Sequence, residues 1–182
     1  MKVVGFVGSP RKNGNTSDIV KEVLKGAKDN GAETKVYYLN DLNIKGCQGC
    51  LYCRENEECI INDDMKDIYE DVKNADSLVL GTPVYICQVS AQTKLLLDRF
   101  FPLTDKKHNP RFGEKKLVMV YTQAAPFKNV FRKYFRYLKK SLKPMGFKVI
   151  SNIVATKCFE KKVAINNKKI MKKAYNAYKK LY

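Results

Sequence analysis

The sequence predicts an α/β fold in which a parallel β-sheet is covered by helices on both faces. Two observations lead to this expectation. Short apolar runs alternate five times with segments whose apolar residues recur at helical spacing. Apolar residues also make up 45% of the 182 residues, which is enough to build the core of a single domain over residues 1–182.

The first predicted unit is a strand over residues 3–7 followed by a helix over residues 15–29. The strand is apolar throughout and ends at Gly8, as expected for a strand buried on both faces. Apolar residues between Ile19 and Ala27 give the helix one buried stripe. Gly31 ends the helix, because glycine readily adopts the left-handed conformation there.

The same criteria place the remaining elements. Four further strands are predicted over residues 34–39, 76–81, 116–121 and 147–153. Helices are predicted over residues 65–73, 90–101, 127–142 and 161–181. No apolar run approaches the roughly 20 residues that cross a bilayer, so we expect no membrane contact and a cytoplasmic location.

Residues 8–17, between the first strand and the first helix, form a candidate phosphate site. A helix start rich in small and hydroxylated residues leaves backbone N–H groups free to bind an anion. The candidate ligands are Ser9, Arg11, Asn15, Thr16 and Ser17. The alternative is that Asn15 or Thr16 only caps the helix.

Four of the six cysteines lie within 13 residues, in an inserted loop over residues 43–63 after the second strand. Cys47, Cys50, Cys53 and Cys59 follow the pattern C-x2-C-x2-C-x5-C. Four thiolates can supply one ligand to each iron of a [4Fe–4S] cluster. A four-cysteine zinc site and a site without metal remain alternatives.

The net charge of +17 indicates how the protein associates with others, since net charge governs association and not fold. Only six of the 35 basic residues are arginine, and sequence-reading nucleic-acid proteins depend on arginine. We therefore expect no nucleic-acid binding. A solvated surface and docking of an acidic protein partner are both consistent with a lysine excess.

The chain resembles the iron–sulfur flavoproteins of the flavodoxin-like NAD(P)H-dependent FMN reductase superfamily. The residues that carry the resemblance are the loop over residues 8–17, the sequence GTPVY over residues 81–85, the pattern S-x3-K-x3-D-R over residues 90–99, and the cysteine pattern. The resemblance covers residues 1–155.

The resemblance implies a five-stranded sheet of order 2-1-3-4-5 with FMN bound beyond the carboxyl ends of the strands. It assigns flavin contacts to Pro83, Val84, Tyr85 and Ile86 in a second loop and to Gln123 and Ala124 in a third. It also implies a homo-oligomer, either a dimer or a tetramer. Of the other cysteines, we expect Cys87 to be an apolar filler and Cys158 an isolated thiol.

The expected function is electron transfer between a [4Fe–4S] cluster and FMN. An acidic donor such as a ferredoxin would supply electrons, and a small-molecule two-electron acceptor would receive them. The alternative in the same fold is a cluster-free NAD(P)H-dependent FMN or quinone reductase. A basic nucleic-acid-binding module is a third, less favoured alternative.

Overall fold

The computed structural model describes residues 1–181, and a largely parallel β-sheet lies at its centre. Strand β1 (Lys2–Val7) lies between β2 (Glu33–Tyr38) and β3 (Ser77–Tyr85). On the other side of β3, the sheet continues with β5 (Lys115–Thr122) and β6 (Phe147–Ala155), and a short strand β4 (Gln88–Val89) lies off this path. The order is β2-β1-β3-β5-β6, with β4 paired antiparallel to the end of β3. The α/β, flavodoxin-like arrangement is therefore present.

The sheet has six strands, whereas five were predicted. The five parallel strands follow one another in the predicted order, and β4 is the addition. Ile86 and Cys87 form the turn between β3 and β4 with φ angles of 43° and 64°. Tight hairpin turns of this kind usually contain glycine or asparagine, so the sequence gives no hairpin signal here.

Helices cover both faces of the sheet, as predicted. Helix α1 (Asn15–Asp29) covers one face together with α6 (Lys168–Tyr175). The other face is covered by α3 (Met65–Asn74), α4 (Ala91–Asp98) and α5 (Arg132–Leu142). A single turn, α2 (Tyr52–Glu55), lies between β2 and α3. Short 3₁₀ helices occupy Leu39–Asp41, Phe101–Leu103, Lys143–Met145 and Asn176–Lys180.

Three predicted helices are shorter in the structure. The helix predicted over residues 90–101 is α4, which spans Ala91–Asp98. The helix predicted from residue 127 begins at Arg132, and the aromatic residues before it lie in a turn where Phe127 is 69% exposed. The C-terminal helix begins at Lys168 because Asn167 caps it, its side chain accepting a 3.1 Å hydrogen bond from the Ile170 N–H. No helix within residues 1–181 is both long and apolar enough to span a membrane.

Candidate functional site

A cavity of about 250 Å³ opens at the edge of the sheet where the parallel strands β1, β3, β5 and β6 end. In a sheet of this order, the direction in which strands are added reverses between β1 and β3, and ligands bind in the crevice at this switch point. The cavity is lined by Ser9, Arg11, Gly14, Asn15, Thr16, Pro83, Val84, Tyr85, Thr122, Ala124, Cys158, Phe159 and Lys161. We call it the rim cavity.

The start of α1 forms one wall of the rim cavity and presents unpaired backbone donors. The first hydrogen bond of the helix runs from the Asp18 N–H to the Gly14 carbonyl at 3.0 Å. The N–H groups of the three residues between them precede that bond, and the positive end of the helix dipole coincides with them. This wall therefore has the chemistry of an anion site.

Asn15 and Thr16, both predicted as phosphate ligands, have side chains engaged within the protein. The Asn15 amide donates to the Glu160 carbonyl at 2.7 Å and accepts from the Ala164 N–H at 2.9 Å. The hydroxyls of Thr16 and Thr122 are 2.7 Å apart. These two side chains hold the cavity walls together. The groups that remain for an anion contact are the backbone N–H groups at the start of α1 and the basic side chains of Arg11 and Lys161.

The segment after β6 supplies a wall that the sequence did not indicate. Cys158, Phe159 and Lys161 line the rim cavity, and Arg11 Nη1 lies 3.4 Å from the Phe159 carbonyl. Burial raises the pKa of the Cys158 thiol to about 11, so this thiol stays protonated at neutral pH. Cys158 was expected to be an isolated thiol; it is a free cysteine, and it also lines the rim cavity.

Three predicted flavin ligands do not line the rim cavity. Ile86 is at the tip of the β3–β4 hairpin and is 94% exposed. Gln123 is buried and donates to the Phe127 carbonyl at 2.8 Å, while its Oε1 has no partner. Ser17 is fully buried, and its hydroxyl also lacks a partner. At the same hairpin tip Cys87 is exposed, so the expectation of a buried filler was wrong.

The four clustered cysteines line a second, smaller cavity beside the 3₁₀ helix Phe101–Leu103. Its volume is about 20 Å³. Cys53 is buried, Cys59 is half-buried, and Cys47 and Cys50 are exposed. We call residues 43–63 the cysteine segment.

Hydrogen bonds from two arginines connect the cysteine segment to the 3₁₀ helix Phe101–Leu103 and to the loop that follows it. Arg54 Nη1 donates to the Asp105 carbonyl at 2.8 Å, and its guanidinium stacks 3.6 Å from the centre of the Phe101 ring. From the opposite side, Arg111 donates to the Cys53 carbonyl at 3.1 Å.

A buried ion pair between Arg99 and Asp63 lies beside the cavity that the cysteines line. Arg99 is 1% exposed and makes two hydrogen bonds to the Asp63 carboxylate, at 2.5 and 3.1 Å. Burial by itself would raise the pKa of Asp63. Hydrogen bonds from Arg99 and from the Lys45 and Met65 N–H groups outweigh burial, so this pKa lies below its usual range.

The donor set fits an iron–sulfur cluster by its chemistry. Four thiols line one cavity, and thiolates are the usual ligands of such clusters. Asp98 also lines this cavity, and its carboxylate pairs with Lys94 at 2.5 Å. Within residues 1–181, no three side chains of histidine, cysteine, aspartate or glutamate converge closely enough to bind a single metal ion. A cluster needs no such convergence, because each thiolate binds a different iron. The small volume means that the exposed stretch with Cys47 and Cys50 would have to move outwards.

Comparisons with known proteins agree with this geometry. The family model described as NADPH-dependent FMN reductase matches residues 1–159. An iron–sulfur flavoprotein of Archaeoglobus fulgidus is 34% identical over 152 residues, which are 82% of this chain and 68% of that protein. An iron–sulfur flavoprotein of Methanocaldococcus jannaschii is 46% identical over 103 residues, which are 57% of this chain and 53% of that protein.

Among solved structures, an NAD(P)H:quinone oxidoreductase from Methanothermobacter marburgensis superposes with a TM-score of 0.75 and 15% identity, over 100% of this chain and 96% of that one. At this identity the likeness concerns the fold. The match to the Methanocaldococcus jannaschii relative spans about half of that protein's length. The match over residues 1–159 and the extent of the Archaeoglobus fulgidus match show that the chain belongs to the iron–sulfur flavoprotein family, within the flavodoxin-like FMN reductase superfamily.

Proposed function

We propose that the protein is a flavin-dependent oxidoreductase that binds FMN in the rim cavity. The observation that carries this proposal is the position of the rim cavity at the topological switch point between β1 and β3, where the strand order reverses. The N-terminus of α1 forms one wall of the cavity. The phosphate would lie against the backbone N–H groups of α1. Arg11 and Lys161 line the same cavity and would add positive charge.

The flavin ring would occupy the part of the rim cavity lined by Pro83, Val84, Tyr85 and Ala124. Tyr85 is 46% exposed, so its ring is available for stacking on a bound aromatic group. Bound FMN can accept or donate two electrons, while the protein sets its position and its electrostatic surroundings.

We further propose that the cysteine segment binds a [4Fe–4S] cluster through Cys47, Cys50, Cys53 and Cys59. The support is that the four thiols line one cavity and that curated relatives bear the name iron–sulfur flavoprotein. The segment leaves the carboxyl end of β2, beside β1 and its phosphate loop. The two proposed centres therefore belong to the same edge of the sheet, and electron transfer between them is the proposed task.

An acidic protein such as a ferredoxin is the proposed electron donor. The net charge of +17 would attract it over distances comparable with the Debye length. Glu57 and Glu58 lie beside Cys59, together with Lys66 and Lys73, so the immediate surroundings of the cysteines carry both signs. The attraction would therefore come from the whole surface and not from the cysteine segment.

A cluster-free NAD(P)H-dependent FMN or quinone reductase is the second candidate. The match of residues 1–159 to a family described as NADPH-dependent FMN reductase favours it. In that case the proposed two-electron donor is NAD(P)H, and the cysteines would hold no cluster. Rapid bleaching of the bound flavin by NAD(P)H in a protein free of iron would establish this candidate.

The deciding experiment is anaerobic purification followed by measurement of iron, acid-labile sulfide and FMN per chain. It compares wild type with Cys50→Ala and with the control Cys87→Ala, which removes an exposed cysteine outside the segment. About four irons and four sulfides with one FMN in wild type and in the control, and loss of iron only in Cys50→Ala, is the expected result. FMN without iron after cluster reconstitution would contradict the two-centre proposal.

A further inference from the structure

Arg99 and Asp63 form an ion pair in a place where burying charge is costly. Arg99 is 1% exposed and the Asp63 side chain is fully buried. Removing two charges from water costs several kcal/mol per ion, and apolar residues of similar volume often stabilise a fold equally well. A buried ion pair is therefore weak evidence that Arg99 serves stability alone, and its other hydrogen bonds indicate a further role.

The other two hydrogen bonds of the Arg99 guanidinium go to the two ends of the run of cysteines. Nη1 donates to the Lys45 carbonyl at 2.8 Å, just before the first cysteine. Nη2 donates to Cys59 Sγ at 3.5 Å, at the last cysteine. Asp63 completes the arrangement, because its carboxylate accepts from the Lys45 and Met65 N–H groups at 2.9 and 3.1 Å.

Helices α3 and α4 hold the backbone of Arg99 in place. Arg99 follows the last residue of α4, and the Tyr69 hydroxyl from α3 donates to the Arg99 carbonyl at 2.6 Å. Both helices belong to the sheet scaffold and not to the cysteine segment. The guanidinium thus reaches Cys59 from a backbone held outside the cysteine segment, and Asp63 orients it through two hydrogen bonds. Outer partners of this kind orient ligands and tune a bound centre.

We propose that Arg99 is a positioning residue of the cysteine centre, which orients Cys59 and raises the reduction potential of a cluster bound there through its hydrogen bond to the sulfur. This inference rests on the proposed function. Reduction adds negative charge to a cluster and its thiolates, and hydrogen bonds to the sulfurs stabilise the more negative state. Loss of the bond should therefore make the potential more negative.

Arg111 provides a matched control within the same segment. It donates to the backbone carbonyls of Cys53 and Asn56, at 3.1 and 3.4 Å, and to no sulfur in the part of the chain that the structure describes. Arg111→Lys therefore perturbs the support of the cysteine segment without changing a bond to a ligand atom. A role of Arg99 in fold stability alone would give the two variants the same phenotype.

The experiment compares wild type, Arg99→Lys and Arg111→Lys by iron and FMN content and by spectroelectrochemical titration of the cluster. Lysine at position 99 can still pair with Asp63 but cannot reach both Asp63 and the sulfur in the geometry of a guanidinium. We expect the iron and FMN contents to be retained in both variants. In Arg99→Lys alone, the equilibrium should shift about tenfold towards the oxidised cluster, which is about 59 mV for one electron.

A double variant, Arg99→Met with Asp63→Asn, tests the same inference if the single variant misfolds, because it leaves no unpaired buried charge. It removes both charges together, so the local net charge is unchanged, while the guanidinium's hydrogen bonds to the Cys59 sulfur and to the Lys45 carbonyl are lost. The same negative shift should appear in it. If an Arg99 variant binds the cluster and its reduction potential is unchanged, this inference is wrong and the proposed function is unaffected. If both Arg99 variants lose FMN as well as iron, the inference is also wrong, because Arg99 then has only a structural role. Wild-type protein that binds no cluster overturns it together with the proposed function.

Discussion

The side chain of Asn15 should determine whether the segment after β6 stays folded against α1. Asn15→Ala removes the 2.7 Å bond to the Glu160 carbonyl and the 2.9 Å bond from the Ala164 N–H. Glu160 is exposed, so water can replace its partner, and that loss costs about 1 kcal/mol. Ala164 is 1% exposed, so its N–H is left unpaired at a cost of about 1–3 kcal/mol.

The expected loss for Asn15→Ala is therefore about 2–4 kcal/mol in the free energy of unfolding. With a slope of about 2 kcal/mol per molar urea, the midpoint of urea unfolding should fall by about 1–2 M. FMN binding should weaken too, because Phe159 and Lys161 belong to the segment that is released and line the rim cavity. Fluorescence titration of FMN checks the second effect.

Ser17→Ala is the matched control for this experiment. Ser17 lies in the same turn of α1 and is also buried, but its hydroxyl has no partner in the part of the chain that the structure describes. Removing an unpaired buried hydroxyl should leave the free energy of unfolding of the flavin-free protein unchanged or slightly raised. An Asn15→Ala midpoint within about 0.3 M of the Ser17→Ala midpoint would refute the reasoning, since about 2 kcal/mol corresponds to 1 M here.

Three further outcomes are expected. Gly8→Ala should destabilise the protein by about 1–3 kcal/mol in urea unfolding, because a Cβ there would lie 1.8 Å from Thr93 Oγ1; an unchanged midpoint would contradict this. Burial alone would raise the pKa of Asp71, but hydrogen bonds from Lys2, Lys35 and Tyr37 lower it to about 2. The stability from this carboxylate is complete above its unfolded pKa of roughly 4 and is lost as the pH falls towards 2, so Asp71→Asn should flatten acid unfolding over that window. If subunits associate through the exposed hairpin tip, Ile86→Glu should lower the molar mass measured by light scattering, and an unchanged oligomer would place the interface elsewhere.

The sequence predicted the elements whose signals are local. The predicted bounds of α1, residues 15–29, agree with the structure. The apolar spacing of this helix and the glycines on either side of it are signals that lie within the segment or next to it. The order of the parallel strands follows from the alternation of strands and helices together with the family resemblance. Local signals also misled, since the aromatic residues from 127 to 131 have helical spacing but lie in a turn ahead of α5.

The parts of the rim cavity that escaped prediction depend on contacts between distant residues. Phe159 and Lys161 reach the cavity because Asn15, about 145 positions earlier, binds the neighbouring backbone. No motif around Cys158 indicates such a contact. Strand β3 was expected to end before Thr82, yet it continues to Tyr85. Thr82 and Pro83 still pair with β5, and the last two residues of the strand pair with β4.

The attachment of the cysteine segment has a consequence for how such proteins diverge. The segment supplies no strand to the sheet, and several of the arginine bonds that hold it go to backbone carbonyls, such as those from Arg111 to Cys53 and from Arg99 to Lys45. Carbonyls are present whatever the side chain, so the cysteines can be replaced without loss of these anchors. A lineage could therefore gain or lose a metal centre by a few point substitutions while inheriting the same flavin-binding scaffold intact.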